Sequence, residues 1–355
     1  MQPFNLDPGQ LAQEMNDYGR KLGKGIQNLM HAEDIDTGVT PRVEVYREDK
    51  LCLYRYPAPE NTAQNDTPLL IVYALVNRPY MTDIQEDRST IRNLLAHGQD
   101  VYLIDWGYPD EADQSLTMDD YINGYLDRCV DVICEHHNLD KINILGICQG
   151  GSFSLCYTAM HQDKVKNLVT MVTPVDFQTP DNTLSAWVQQ VDIDLLVDTL
   201  GNIPGDMLNS TFLSLKPFAL TGQKYISMVD VLEDEKKLKN FLRMEKWIFD
   251  SPNQAGETFR QFIKDFYQQN GFLNGGVQIG KHTLDLKNIH CPVLNVFAEQ
   301  DHLVPPDASR ALQGITASKD YTELSFPGGH IGIYVSGKAQ KQVTPAIASW
   351  LDEHS

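Results

Sequence analysis

Gly146-Ile147-Cys148-Gln149-Gly150-Gly151 places a thiol between glycines where the apolar run Ile142-Asn143-Ile144-Leu145 gives way to a helical pattern. A G-x-nucleophile-x-G turn between strand and helix is very sharp. A side chain two residues before or after the nucleophile would strike neighbouring backbone, so glycine is needed at both places. The turn leaves the nucleophile at a helix N-terminus, whose partial positive charge favours a thiolate. A buried structural cysteine is the ordinary reading of a lone G-x-C-x-G, and the flanking strand and helix patterns tip the balance toward chemistry. Phe297-Ala298-Glu299-Gln300-Asp301-His302-Leu303-Val304-Pro305 sets an acid just past another apolar run, and Phe326-Pro327-Gly328-Gly329-His330 sets an imidazole in a glycine loop past the next. A loop aspartate is ordinarily a solvated cap and a loop histidine incidental. Both at the carboxyl ends of successive strands, downstream of the cysteine, make a site. His302 is the rival imidazole, but it adjoins the acid and does not follow the next strand, so His330 is preferred.

The chain order nucleophile, acid, histidine is that of α/β-hydrolases. His330 then takes the proton of Cys148, because a free thiol with a pKa of about 8.5 supplies little thiolate at neutral pH. Asp301 orients the imidazole and stabilises its cation. The backbone N–H of Gln149, with a second from the loop after Leu69–Val76, binds the oxyanion, and Val76 is the candidate for that second donor. Sulfur has a chemical consequence. A cysteine attacking a thioester forms another thioester, so the acyl group stays activated for an alcohol acceptor. Acyl transfer from a thioester is therefore favoured over hydrolysis.

Several elements must position these residues. Val43–Tyr46 and Leu51–Tyr56 read as a hairpin; Leu69–Val76, Val101–Ile104, Ile142–Leu145 and Asn167–Val172 read as strands, with helices at Ile91–His97 and from a capping box at Thr117-Met118-Asp119-Asp120 to His137. Apolar strands alternating with helices predict a mainly parallel sheet covered on both faces. The rhythm breaks after Asp176 and resumes at Val293–Phe297 and Thr322–Phe326, with a last helix over Pro345–Glu353 capped by Thr344. The expected organisation is an α/β-hydrolase core over 1–176 and 287–355, interrupted by a helical cap over 177–286. Leu11, Met15, Tyr18, Leu22, Ile26 and Leu29, after Asp7-Pro8, predict an amphipathic N-terminal helix. It packs on its own domain or docks on a partner subunit.

Composition narrows the function classes. A net charge of −19 argues against nucleic-acid binding and requires a local basic patch for any anionic substrate. Arg78, beside the presumed oxyanion loop, is a basic candidate, with a surface salt bridge as its ordinary reading. The longest apolar run falls short of the roughly 20 residues of a membrane span, and the N-terminus lacks the pattern of a secretory signal. A cytoplasmic protein with no membrane span is expected. Six cysteines make no disulfide scaffold. Cys129 and Cys134 are separated by about 7.5 Å along a helix, beyond the reach of a bridge. Cys134-Glu135-His136-His137 reads as a helical surface patch rather than a metal site. No cofactor and no metal are expected.

Over nearly its whole length the chain resembles the polyhydroxyalkanoate (PHA) synthases, class III, the two-subunit type. The resemblance is carried by Tyr73-Ala74-Leu75-Val76-Asn77-Arg78-Pro79-Tyr80, Asp105-Trp106-Gly107, the Cys148 elbow, Trp247–Glu257 (WIFDSPNQAGE), Asp301-His302-Leu303-Val304-Pro305 and Gly328-Gly329-His330. It implies an acyltransferase that polymerises (R)-3-hydroxyacyl-CoA, foremost 3-hydroxybutyryl-CoA, on Cys148 with release of coenzyme A. It also implies a second synthase subunit, assembly as a homodimer or hetero-oligomer, and association with the polymer granule surface. In the family's pattern His330 activates Cys148 while Asp301 helps activate the substrate's 3-hydroxyl; that role and the orienting one both stay open. The alternative is a cysteine-dependent hydrolase, either a thioesterase or a dienelactone-hydrolase-like enzyme, and a third reading is a non-catalytic binding subunit that kept the fold.

Overall fold

The computed structural model describes residues 36–60, 62–215 and 234–355; the N-terminal helix expected from Leu11 to Leu29 lies outside them. The chain forms two compact units. The larger comprises Gly38–Leu208 and Ser251–Ser355. The described residues of the smaller are 36, 37, 209–215 and 234–250, most of them in the helix Glu235–Phe249. Of the expected insertion 177–286, the segments 177–208 and 251–286 thus belong to the larger unit.

That larger unit is built on an eight-stranded sheet: β1 (Val43–Glu48), β2 (Leu51–Arg55), β3 (Leu69–Val72), β4 (Val101–Asp105), β5 (Ile142–Ile147), β6 (Val165–Met171), β7 (Val293–Ala298) and β8 (Tyr321–Phe326). The spatial order is β1-β2-β4-β3-β5-β6-β7-β8. β1 and β2 form the expected antiparallel hairpin, β2 pairs antiparallel with β4, and every later pairing is parallel. Each residue of β3, β5 and β7 is buried, as strands covered on both faces must be. Helices α1 (Thr90–Ala96), α2 (Asp127–His137), α3 (Gln149–Met160) and α4 (Gly337–Glu353) accompany the sheet. The capping box at Thr117 forms, its N–H and hydroxyl both donating to Asp120 Oδ2 at 2.7 Å, but the chain passes through a π-helical stretch, Asp120–Leu126, before entering α2. All six cysteines are free.

Two elements differ from expectation. β3 stops at Val72 rather than Val76, because side chains take over its backbone groups: Trp106 Nε1 donates to the Tyr73 carbonyl at 2.9 Å, and the Leu75 N–H donates to Gln149 Oε1 at 3.0 Å. The last helix starts at Gly337 rather than Pro345. Ser336 caps it, its hydroxyl accepting from the Ala339 N–H at 3.1 Å, while Pro345 lies inside the helix and Thr344 is buried. Burial of Ala339, Val343, Ile347 and Leu351 at helical spacing holds the earlier turns together despite the missing proline N–H.

Candidate functional site

Cys148 sits between the end of β5 and the first residue of α3, with φ 56° and ψ −123°, a conformation that costs a non-glycine residue about 1–3 kcal/mol. Its surroundings enforce that cost. The Cys148 N–H donates to the Met171 carbonyl at 2.9 Å, and its own carbonyl accepts from the Gly151 N–H at 2.9 Å. A Cβ at Gly146 would lie 2.5 Å from Gly151 Cα, and one at Gly150 would lie 2.2 Å from the Val72 oxygen. The two glycines of the motif are therefore required by contact, as their spacing predicts.

Asp301 and His330 follow β7 and β8, neighbouring parallel strands in register from Val293↔Tyr321 to Ala298↔Phe326. Their loops are stitched together: the Glu299 N–H donates to the Phe326 carbonyl at 2.9 Å, and the Gln300 N–H to the Gly328 carbonyl at 2.8 Å. Asp301 Oδ2 accepts from His330 Nδ1 at 2.7 Å, and Oδ1 accepts from the N–H groups of Leu303 and Val304 at 2.8 and 2.9 Å. The Asp301 side chain has no exposed surface and that of His330 only 7%. With Nδ1 committed to the carboxylate, Nε2 is the nitrogen left for proton exchange, and Cys148 lies within electrostatic reach of the ring. Burial alone would depress the His330 pKa; the Asp301 and Cys148 charges, then the hydrogen bond to Asp301, outweigh it and raise the pKa from 6.5 to about 10. The structure thus brings together all three side chains that the sequence singled out, and His330 rather than His302 faces the acid.

Gln149 and Val76 lie on the two segments that flank the elbow. Gln149 opens α3, where helix geometry leaves N–H groups without intrahelical acceptors. Val76 is the residue after Leu75, whose N–H the Gln149 side chain holds, so one glutamine ties the loop to the helix N-terminus. Arg78 is half-buried at the end of the same loop, its guanidinium 4.1 Å above the Tyr108 ring. Close by, burial raises the Asp105 carboxyl's pKa against the pull of the Gly107 N–H, Arg42 and Arg78.

Two tyrosines also reach the site. The Tyr334 ring is edge-on to His330, with centroids 6.4 Å apart, and is 2% exposed. Tyr267, half-buried, lies in the π-helical stretch Phe262–Gln268, and its phenol is within electrostatic reach of Cys148. Tyr334 has a signal that sequence reasoning passes over, four residues after the histidine. Tyr267 has none beyond its aromatic neighbourhood. Among the described residues, no group of three or more His, Cys, Asp or Glu is placed to hold a metal ion, and no helix is long and apolar enough to cross a membrane.

The alpha/beta hydrolase fold family model matches residues 67–336. The poly(3-hydroxyalkanoate) polymerase subunit PhaC of Allochromatium vinosum is 74% identical over 354 residues, covering 99% of this chain and all of that protein. The protein of the same name from Thiocystis violacea is 72% identical over the full length of both, and that of Synechocystis sp. is 56% identical over 96% of this chain and 92% of its own. Among solved structures, a monoacylglycerol lipase of Paleococcus ferrophilus superposes with a TM-score of 0.56 at 18% identity, covering 85% of this chain and 99% of the lipase. That likeness is one of fold.

Proposed function

The chain belongs to the α/β-hydrolase fold and to the PhaC subunits of poly(3-hydroxyalkanoate) polymerases, and from that premise we propose how its residues carry the polymerisation. The acyl donor is (R)-3-hydroxyacyl-CoA, foremost 3-hydroxybutyryl-CoA. His330 takes the Cys148 proton, and the sulfur attacks the thioester carbonyl. The oxyanion formed is held by the backbone N–H groups of Gln149 and Val76, and coenzyme A leaves as its thiol with the proton from His330. The acyl group is then a thioester on Cys148. In the next half-reaction His330 removes the proton of a 3-hydroxyl, whose oxygen attacks that thioester. An ester bond forms, and the proton returns to the cysteine sulfur. Each monomer added thus releases one coenzyme A thiol.

The observation that carries this reading is the Asp301–His330 pair, sealed from solvent and within electrostatic reach of a cysteine held on a strained turn. Both oxygens of Asp301 are occupied by the chain itself, which favours the orienting role over contact with the substrate's hydroxyl. We assign 1–176 and 287–355 to the catalytic core and 177–286 to a cap, since that segment is inserted between the adjacent parallel strands β6 and β7. The word "subunit" in the relatives' names supports a second synthase subunit. An insoluble polyester product would keep the resulting oligomer at the surface of polymer granules, which we place in the cytoplasm.

The test is a product assay with 3-hydroxybutyryl-CoA, with and without a co-expressed second subunit. Free thiol, insoluble polymer and an acyl adduct on Cys148 by mass spectrometry are expected. Free 3-hydroxybutyrate as the main product would instead select a hydrolase.

A further inference from the structure

A single hydrogen bond leaves the His330 imidazole one freedom. The bond between its Nδ1 and Asp301 Oδ2, at 2.7 Å, fixes which nitrogen faces the acid, but the ring can still swing about that contact as on a hinge. A second contact from another direction is needed to fix its plane. Tyr334 supplies one. Its ring stands nearly perpendicular to the imidazole, at 83°, with centroids 6.4 Å apart, an edge-to-face arrangement of the kind that ring pairs favour.

The local backbone brings the two rings together. The Ile333 N–H donates to the Gly329 carbonyl at 3.2 Å, so a helical turn is already wound at His330, ahead of the one-turn helix Gly332–Val335. Residues four apart in such a turn stand on the same side, which places position 334 beside position 330. That short helix is gripped from two elements. The buried Thr90 of α1 donates its hydroxyl to the Tyr334 carbonyl at 3.3 Å, and the buried Gln340 of α4 donates Nε2 to the same carbonyl at 2.6 Å. Asn93 of α1 donates to the backbone carbonyl of Gln340 and, at 3.3 Å, to its Oε1, which joins the two helices to each other. A residue that only filled space would need its ring enclosed, and a leucine would serve. It would not need its own carbonyl held from two helices.

Building on the role given to His330 above, we propose that Tyr334 is a positioning residue whose ring fixes the plane of the His330 imidazole, so that Nε2 stays aimed at Cys148. The proposed reaction asks much of that aim. For every monomer added, His330 takes a proton from Cys148, gives it to coenzyme A, takes another from a 3-hydroxyl and returns it to sulfur. A ring free to turn spends part of its time facing none of these partners, and misplacing a reacting group by about 1 Å can cost about 10²-fold in rate. Tyr334 acts through His330, so it governs the rate of proton transfer and leaves the binding of acyl-CoA alone.

The experiment follows coenzyme A release from 3-hydroxybutyryl-CoA in the first turnover by rapid quench. The quantity read is the first-order rate constant at saturating substrate, not the amplitude, so an unfolded fraction of a variant does not enter. Tyr334→Leu removes the ring and keeps an apolar side chain; it should lower that constant by about 10–10²-fold with the half-saturating concentration unchanged. Tyr334→Phe restores the ring and should stay within about threefold of wild type. Gln340→Met keeps the ring but releases the Tyr334 carbonyl from α4, and should lower the constant by about threefold or more; it carries the test if Tyr334→Leu does not fold. A wild-type constant in Tyr334→Leu, or in Gln340→Met where it stands in, overturns the assignment. So does a loss in Tyr334→Phe equal to that in Tyr334→Leu, or a change confined to the half-saturating concentration. His330→Gln separates this from failure of the wider reading. Coenzyme A release at the wild-type rate in that variant sinks the His330 mechanism and the role of Tyr334 with it, whereas a loss there beside an unchanged Tyr334→Leu sinks only the role of Tyr334.

Discussion

The Asp301 carboxylate meets the His330 imidazole at 2.7 Å with its second oxygen already taken by two backbone N–H groups. A carboxylate so enclosed fixes the tautomer and direction of the ring, and that service is needed in every step in which His330 moves a proton. Asp301→Asn should therefore slow the first release of coenzyme A as much as it slows elongation, by about 10²–10⁴-fold. Rapid-quench measurement of the first turnover checks it. A variant that acylates Cys148 at the wild-type rate but cannot elongate would assign Asp301 to the substrate's hydroxyl instead.

The same pair makes stability depend on pH. Burial by itself works against protonation of His330, yet the neighbouring charges raise its pKa from 6.5 to about 10. A group whose pKa is higher in the folded than in the unfolded chain binds its proton more tightly when folded. Its contribution is complete below the unfolded value and is lost as pH climbs through the folded one. The stability difference between wild type and His330→Gln, read from urea unfolding, should shrink steadily between pH 6.5 and 10. A difference that grows over that window would contradict the assignment.

What could be read in advance follows from the range of the forces involved. Gly146, Gly150 and Cys148 were legible because the steric demand of the elbow is local, and the contacts at 2.5 and 2.2 Å repeat the motif's own logic. The order of Asp301 and His330 was legible because each lies one loop beyond an apolar strand. The end of β3 was not, since its backbone partners Trp106 and Gln149 are distant in sequence. Tyr267 escaped because a pattern search at helical period places residue 267 off the face of Phe262, and only the π turn restores it.

Pro345 misled for a related reason. Thr344-Pro345 has the form of a helix start, yet the helix runs through it from Gly337, and residue 345 cannot donate to the carbonyl of Lys341. Alanine there regains the N–H without adding bulk. Pro345→Ala should stabilise the chain by about 1–3 kcal/mol in equilibrium unfolding, bounded above by the full cost of an interior proline. A loss of stability would mean that the helix is shaped around the proline ring and packs by means of it.

Gln149 carries two duties, and a substitution can separate them. Its backbone N–H is one proposed oxyanion donor and survives any side-chain change, whereas its side-chain oxygen holds the Leu75 N–H at 3.0 Å and so fixes the loop that presents Val76. Gln149→Met keeps the length and the burial but deletes the acceptor, leaving a buried N–H without a partner at a cost of about 1–3 kcal/mol. The loop then presents its donor less accurately at the moment the oxyanion forms. Since that interaction exists only in the transition state, the loss should appear in kcat, by about tenfold or more, with KM for the acyl-CoA little changed. A rise in KM at constant kcat would place the loop in substrate binding and remove Val76 from the oxyanion site.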